Sequence, residues 1–246
     1  MTCARLLAVA LTLTAMPLTG AARAECRLAL VLGMDVSASV DAREYALMMN
    51  GTAAALVAPQ VREAIFSGPP VALAAYVWAG RREQAVVARW TLIDSPAALE
   101  RFAARIAAFP RPSGDPIGGW TGRTAVGAAL IAGRELLRQA PVCDAQTIDI
   151  AGDGENNDGP EPAPLRATLL AGITVNALAV SGDLPYDHGT MEEEGGRLSA
   201  WFSANVLNGP GAFVEIALDY DDFERAMTRK LERELRPALL GYLPRR

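Results

Sequence analysis

The chain has 246 residues, 51% of them hydrophobic and 21% charged, with a formal net charge of −5. That acidic balance argues against nucleic acid as a partner and against simple adsorption to anionic lipid. The apolar share and the length suit one α/β domain with a full core.

The first 24 residues have the order of a secretory signal: Arg5 supplies positive charge, residues 6–18 are apolar, and Ala22-Arg23-Ala24 offers a small-x-small cleavage site before Glu25. The apolar run is short for a membrane span and is interrupted by Pro17, and no later segment is long and apolar enough to cross a bilayer. Glu25 does not suit a lipoprotein site at Cys26. The expectation is a periplasmic or secreted protein, cleaved near Ala24-Glu25, with a single domain over residues 25–246. Arg5 and Arg23 would leave with the signal, which makes the remainder more acidic, and Cys3 would leave with them. Cys26 and Cys143 then stand in an oxidising compartment, either as a disulfide or as two inert buried thiols.

Residues 28–34 form a continuous apolar run, the pattern of a strand covered on both faces. Asp41 followed by Glu44 has the form of a capping box. It opens a helix whose inward stripe is Tyr45, Met48, Thr52 and Leu56 and which Pro59 ends. Residues 71–78 predict a second buried strand. Residues 84–91 alternate and carry Arg89, so they predict an edge strand, antiparallel after the turn at Gly80-Arg81-Arg82. Ser95-Pro96 starts a helix running to about Phe109. Residues 110–122 are a Gly/Pro-rich loop, and residues 124–139 a helix with Val126, Leu130 and Leu137 on one face. A strand is expected at 147–151, a helix at 160–171 and a strand at 173–180. A polar loop at 181–196 follows, holding His188 and Glu192-Glu193-Glu194. A short helix at 198–207, a strand at 212–217 and a helix at 221–236 with Phe223, Met227, Leu231 and Leu235 complete the chain. Such βα alternation predicts a mostly parallel sheet with helices on both faces.

In sheets of this kind ligands bind beyond the carboxyl ends of the strands. Three polar clusters fall there: Asp35-Val36-Ser37-Ala38-Ser39 after the first strand, Thr124 after the Gly-rich loop, and Asp153-Gly154 after the strand at 147–151. Asp35, Ser37, Ser39, Thr124 and Asp153 offer oxygen donors alone, which suits a hard cation, Mg²⁺ or Mn²⁺ before Ca²⁺. Two carboxylates only neutralise a divalent ion, so it could accept one more anionic oxygen. Without metal the carboxylates repel, and at least one tends to hold a proton. The bland alternative is that the Asp-Ser loop only caps a helix.

These residues and their order resemble the metal-ion-dependent adhesion site of von Willebrand factor A domains. The resemblance implies the doubly wound A-domain sheet, with one antiparallel edge strand, over the whole of residues 25–246. It implies ion contacts from Ser37, Ser39 and Thr124, contacts from Asp35 and Asp153 often through water, and an open position taken by an Asp or Glu of a protein or peptide partner. Ala38 and Arg123 stand where glycine is commoner in that family; neither removes a donor. A looser likeness is to an uncharacterised family of exported bacterial A-like domains, in the Cys-Arg-Leu-Ala-Leu start at Cys26 and the Ile-Asp-Ser-Pro, Asp-Gly-Glu-Asn-Asn and Gly-Pro-Gly-Ala-Phe stretches. The A-domain order also places the strands ending near Asp35 and Asp153 side by side. Counting back a near-equal distance along each brings Cys26 and Cys143 together, so that order predicts a disulfide.

Other chemistries fit less well. The loop at 153–159 fails the EF-hand pattern because Asp158 takes the glycine position. Ser37 stands where an aspartate-nucleophile phosphatase would have its second acid. No G-x-S-x-G, P-loop or dinucleotide fingerprint is present. A hydrolase using the ion as Lewis acid remains an alternative, as does a scaffold whose metal only stiffens its loops. The hydrolase would need a base beside the ion, and the single histidine, His188, lies in a polar loop.

Overall fold

The computed structural model describes residues 25–112, 120–181 and 195–237, with the side chains of 195–197 excepted. The expected leader, His188 and Glu192-Glu193-Glu194 lie outside those residues. Six strands, β1 (Cys26–Asp35), β2 (Val71–Trp78), β3 (Gln84–Ile93), β4 (Cys143–Gly152), β5 (Thr174–Val180) and β6 (Val214–Ala217), form one sheet in the order β3-β2-β1-β4-β5-β6. All neighbours are parallel except β2 and β3, which make the antiparallel edge.

The continuous apolar character of β1 is explained by its place at the centre of this sheet, where both faces are covered. Leu28, Leu30, Leu32 and Met34 face one core, and Ala29 and Val31 face the other. The first core is closed by α1 (Ala42–Val57), α2 (Pro59–Phe66), α3 (Pro96–Ala107) and α7 (Phe223–Leu235). The second is closed chiefly by α4 (Val126–Leu137) and α6 (Gly195–Asn205), with the short α5 (Pro162–Thr168) beside them. The expected inward stripes are buried: Tyr45, Met48, Thr52 and Leu56 on α1, and Phe223, Met227, Leu231 and Leu235 on α7. Asp41 and Glu44 form the capping box in both directions. Among the four tryptophans Trp78 is buried, whereas Trp90, Trp120 and Trp201 are partly covered.

Several boundaries differ from the sequence reading. The first helix was expected to stop at Pro59, but a second helix begins there. Ala58 turns extended (φ −59°, ψ 143°), the backbone that the following proline enforces, and Pro59 then opens α2 as its first residue. The strand expected at 147–151 starts four residues earlier, at Cys143, because its first turn-side residues still pair with β1. Thr124 is not helical: α4 starts at Val126, which leaves Thr124 in the loop before it. The last strand is shorter than expected, at Val214–Ala217.

Two packing features were not legible in the sequence. A Cβ on Gly33 would lie 2.6 Å from the Tyr76 ring, so glycine in mid-strand makes room for that phenol, which donates to the Ala129 carbonyl at 2.7 Å. On the other side of the sheet α7 is tied down by a buried ion cluster. Lys230 Nζ lies 2.7 Å from Asp149 Oδ1 and 2.5 Å from Glu234 Oε1, and all three side chains are almost wholly removed from solvent. Asn176 Nδ2 donates to the same Glu234 oxygen at 2.6 Å.

Candidate metal centre

At the carboxyl end of β1 the chain leaves the sheet between β2 and β4. Val36 N–H donates to the Trp78 carbonyl at 2.8 Å, so the last ladder bond positions Asp35 under the following loop. Asp35 is fully buried. Its Oδ1 accepts from the Ser37 N–H at 2.8 Å, which folds the Asp-Val-Ser loop back over the carboxylate. Its Oδ2 is buried with no hydrogen-bond partner. Ser37 Oγ is 3.1 Å from Ser39 Oγ, and Ser39 Oγ donates to Asp153 Oδ1 at 2.8 Å. Four of the five expected residues are therefore linked in one chain of contacts.

The loop after β4 closes against both ends of that chain. A Cβ on Gly152 would sit 3.2 Å from Asp35 Oδ2, and one on Gly154 3.6 Å from Thr124 Oγ1. Thr124, nearly buried, thus faces the same loop as Asp153. It is held in place by Asn157, whose Oδ1 accepts from the Thr124 N–H at 2.9 Å while its own N–H donates to the Thr124 carbonyl at 2.8 Å. Ala38 N–H donates to the Gly122 carbonyl at 2.9 Å. Gly122 has φ +71°, and a Cβ there would lie 2.6 Å from the Ala38 methyl, so this close approach requires glycine. Four of the five expected residues are in direct contact at the carboxyl end of the sheet, and Thr124 packs against the loop that carries the fourth, Asp153.

The electrostatics of this cluster are unbalanced. Burial, then the charge of Asp153, pushes the Asp35 carboxyl well above the usual carboxylate range. Asp153 is also raised by burial, against the pull of the Ser39 hydroxyl. Among the described residues neither carboxylate meets a lysine or arginine. A buried acid and a half-buried one without a cation are costly, and an orphaned carboxylate oxygen adds to the cost. A divalent ion would remove both penalties, and the donor set of two carboxylates and three hydroxyls is that of a hard cation. The residues present fit such an ion. Capping alone does not account for Asp35 Oδ2.

Sequence reasoning missed two neighbours. Asn157 belongs to the Asp-Gly-Glu-Asn-Asn stretch, but its role as the support of Thr124 depends on a contact across 33 residues. Tyr220, between β6 and α7, buries its hydroxyl beside Asp153. Burial and the charges of Asp153 and Asp35 raise its pKa. On the open side, Trp120 and Arg111 line a cavity of about 420 Å³ with Ser37, Ala38 and Gly122. No described helix is long and apolar enough to cross a membrane.

Residues 25–239 match the family described as "Protein of unknown function (DUF1194)". The chain belongs to the DUF1194 family. Among curated proteins none matches it. The DUF1194 chain is similar in fold to the pilus adhesin SpaC from Lactobacillus rhamnosus GG (TM-score 0.59, 13% identity, 85% of this chain and 31% of that one). It is also similar to a von Willebrand factor type A protein from Catenulispora acidiphila (TM-score 0.53, 15% identity, 85% and 42% covered). A third similar structure is proximal thread matrix protein 1 from the mussel byssus, with a zinc-occupied MIDAS motif (TM-score 0.53, 16% identity, 86% and 48% covered). The chain thus spans less than half the length of each of these proteins, and the likeness establishes the von Willebrand factor A fold. The Cys26–Cys143 pairing follows from that fold: the two residues are direct partners across β1 and β4, their Cα atoms are 4.5 Å apart, and they form a disulfide.

Proposed function

We propose that this chain is an exported adhesion-type binding protein, not an enzyme. It holds one Mg²⁺ or Mn²⁺ at Asp35, Ser37, Ser39, Thr124 and Asp153 and takes an Asp or Glu of a protein partner there. The observation that carries this reading is Asp35 Oδ2, buried without a partner near a second, half-buried carboxylate. When bound, the ion supplies a Lewis-acidic position for one more anionic oxygen. The chain's own residues set its geometry: the Ser37 N–H orients Asp35, Ser39 orients Asp153, and Asn157 holds Thr124. Two carboxylates leave a divalent ion no net negative surround, so a partner carboxylate is attracted rather than repelled. The adhesin and the zinc-bearing matrix protein among the similar folds support the class of function. Export rests on the leader-like residues 1–24.

Capture of partners from a periplasmic or secreted fraction, in Mg²⁺ and in EDTA, tests this. An EDTA-sensitive partner, lost in Thr124→Ala while that variant melts close to the wild type, is the expected result. Equal capture by wild type and Thr124→Ala, indifferent to EDTA, refutes it.

A further inference from the structure

The loops that present Thr124 also wall a cavity of about 680 Å³ lined by Arg81, Arg82, Arg123, Glu83, Asp158 and Asn157. Its acids are already committed. Asp158 accepts from the Arg81 guanidinium at 2.7 Å and from the Arg81 N–H at 2.9 Å. Glu83 accepts from the Gly80 N–H at 2.8 Å and, through its other oxygen, from the Thr121 N–H. Arg82 and Arg123 are exposed to the cavity's solvent, and among the described residues neither meets a carboxylate or a carbonyl. Among the described residues, Arg82 and Arg123 thus share one concavity without the counter-charge that Asp158 gives Arg81 on the same wall.

We propose that this cavity is a second anion subsite, which takes a second carboxylate of the same acidic segment whose first carboxylate reaches the ion. The proposal rests on the metal-site reading above. Among the described lining residues, three guanidinium groups against two carboxylates leave one net positive charge, which matches one carboxylate better than a dianionic phosphate. The two subsites are contiguous. Arg123 directly precedes Thr124, so their Cα atoms are about 3.8 Å apart, and Asn157 both fixes Thr124 and lines the cavity. Acidic side chains two residues apart in an extended peptide share a face about 7 Å apart, a spacing that lets one segment engage both. Arg123 stands directly before a metal-site residue because it reads the ligand.

Two peptides test this by calorimetry in Mn²⁺: acetyl-Gly-Glu-Ala-Glu-Gly-amide and the same peptide with Gln for its second Glu. The doubly acidic peptide should bind the wild-type chain about fivefold more tightly, the upper end for a partly exposed ion pair. In R82Q/R123Q the advantage should fall below about twofold, with Mn²⁺ bound at least as tightly as by the wild type. Circular dichroism checks that the double variant, altered only at exposed positions, keeps its fold. Equal affinities in the wild type, an advantage that survives in R82Q/R123Q, or Mn²⁺ binding with neither peptide bound would overturn the second subsite. Absence of Mn²⁺ binding by the wild type overturns the metal reading instead, and the subsite with it.

Discussion

Replacing Lys230 with methionine removes the only cation among the described contacts of two buried acids. Methionine fills a similar volume, so packing changes little. Asp149 and Glu234 are then left facing each other with no compensating charge. Breaking a buried ion cluster from one side costs about 3–5 kcal/mol, and for a domain of this size that is a melting-temperature drop on the order of 6–20 °C. The pH dependence follows from the same groups. Burial, then the charge of Glu234, pushes Asp149 up to about 8, against the pull of Lys230. A folded-state value above the ordinary one means that this group's contribution is fully present at acid pH and is lost as pH rises toward that value. Burial opposes the Lys230 charge, yet Asp149 and Glu234 hold its pKa above the usual value, so the cluster keeps its cation throughout the neutral range. In Lys230→Met the pull of the ammonium on Asp149 is gone. The stability lost relative to wild type should therefore be smallest at pH 5 and grow toward pH 9. Urea denaturation at fixed ionic strength, run at both pH values, measures it. Neutralising the acids in the same background (D149N/K230M/E234Q) should recover much of the loss. A loss below about 1 kcal/mol, or one independent of pH, refutes the reasoning.

The Cys26–Cys143 bridge closes a separation of 117 residues. Replacing both cysteines with serine should cost up to about 4–5 kcal/mol by the chain-entropy argument, and thiol counting on the denatured, unreduced chain from Glu25 onward should find no free thiol. Gly33→Ala should lose about 1–3 kcal/mol in urea denaturation, because its Cβ would meet the Tyr76 ring at 2.6 Å and displace the phenol from Ala129.

The central strands were legible because burial on both faces writes an unbroken apolar run, as in Val71–Trp78, and the helices because their inward stripes recur at helical spacing. Pro59 misled for a definable reason: proline forbids a helix from passing through it but favours one that starts on it, and sequence alone does not choose. The five oxygen donors could be named because each sits just beyond a recognisable strand or Gly-rich loop. Their supports could not. Asn157 and Tyr220 act across long sequence separations, and Lys230, Asp149 and Glu234 look like ordinary surface charges until β4 and α7 are packed together. The arginine cavity was hidden for the same reason.

Mn²⁺ titration of the wild-type chain and of Asp35→Asn, followed by electron paramagnetic resonance and with folding checked by circular dichroism, tests the central claim most directly. Asparagine keeps the shape of the buried side chain and its acceptor for Ser37, so the fold should survive. One Mn²⁺ should bind per wild-type chain and none to folded Asp35→Asn. Failure of the wild type to bind Mn²⁺ at millimolar concentration, or equal binding by both chains, would contradict it.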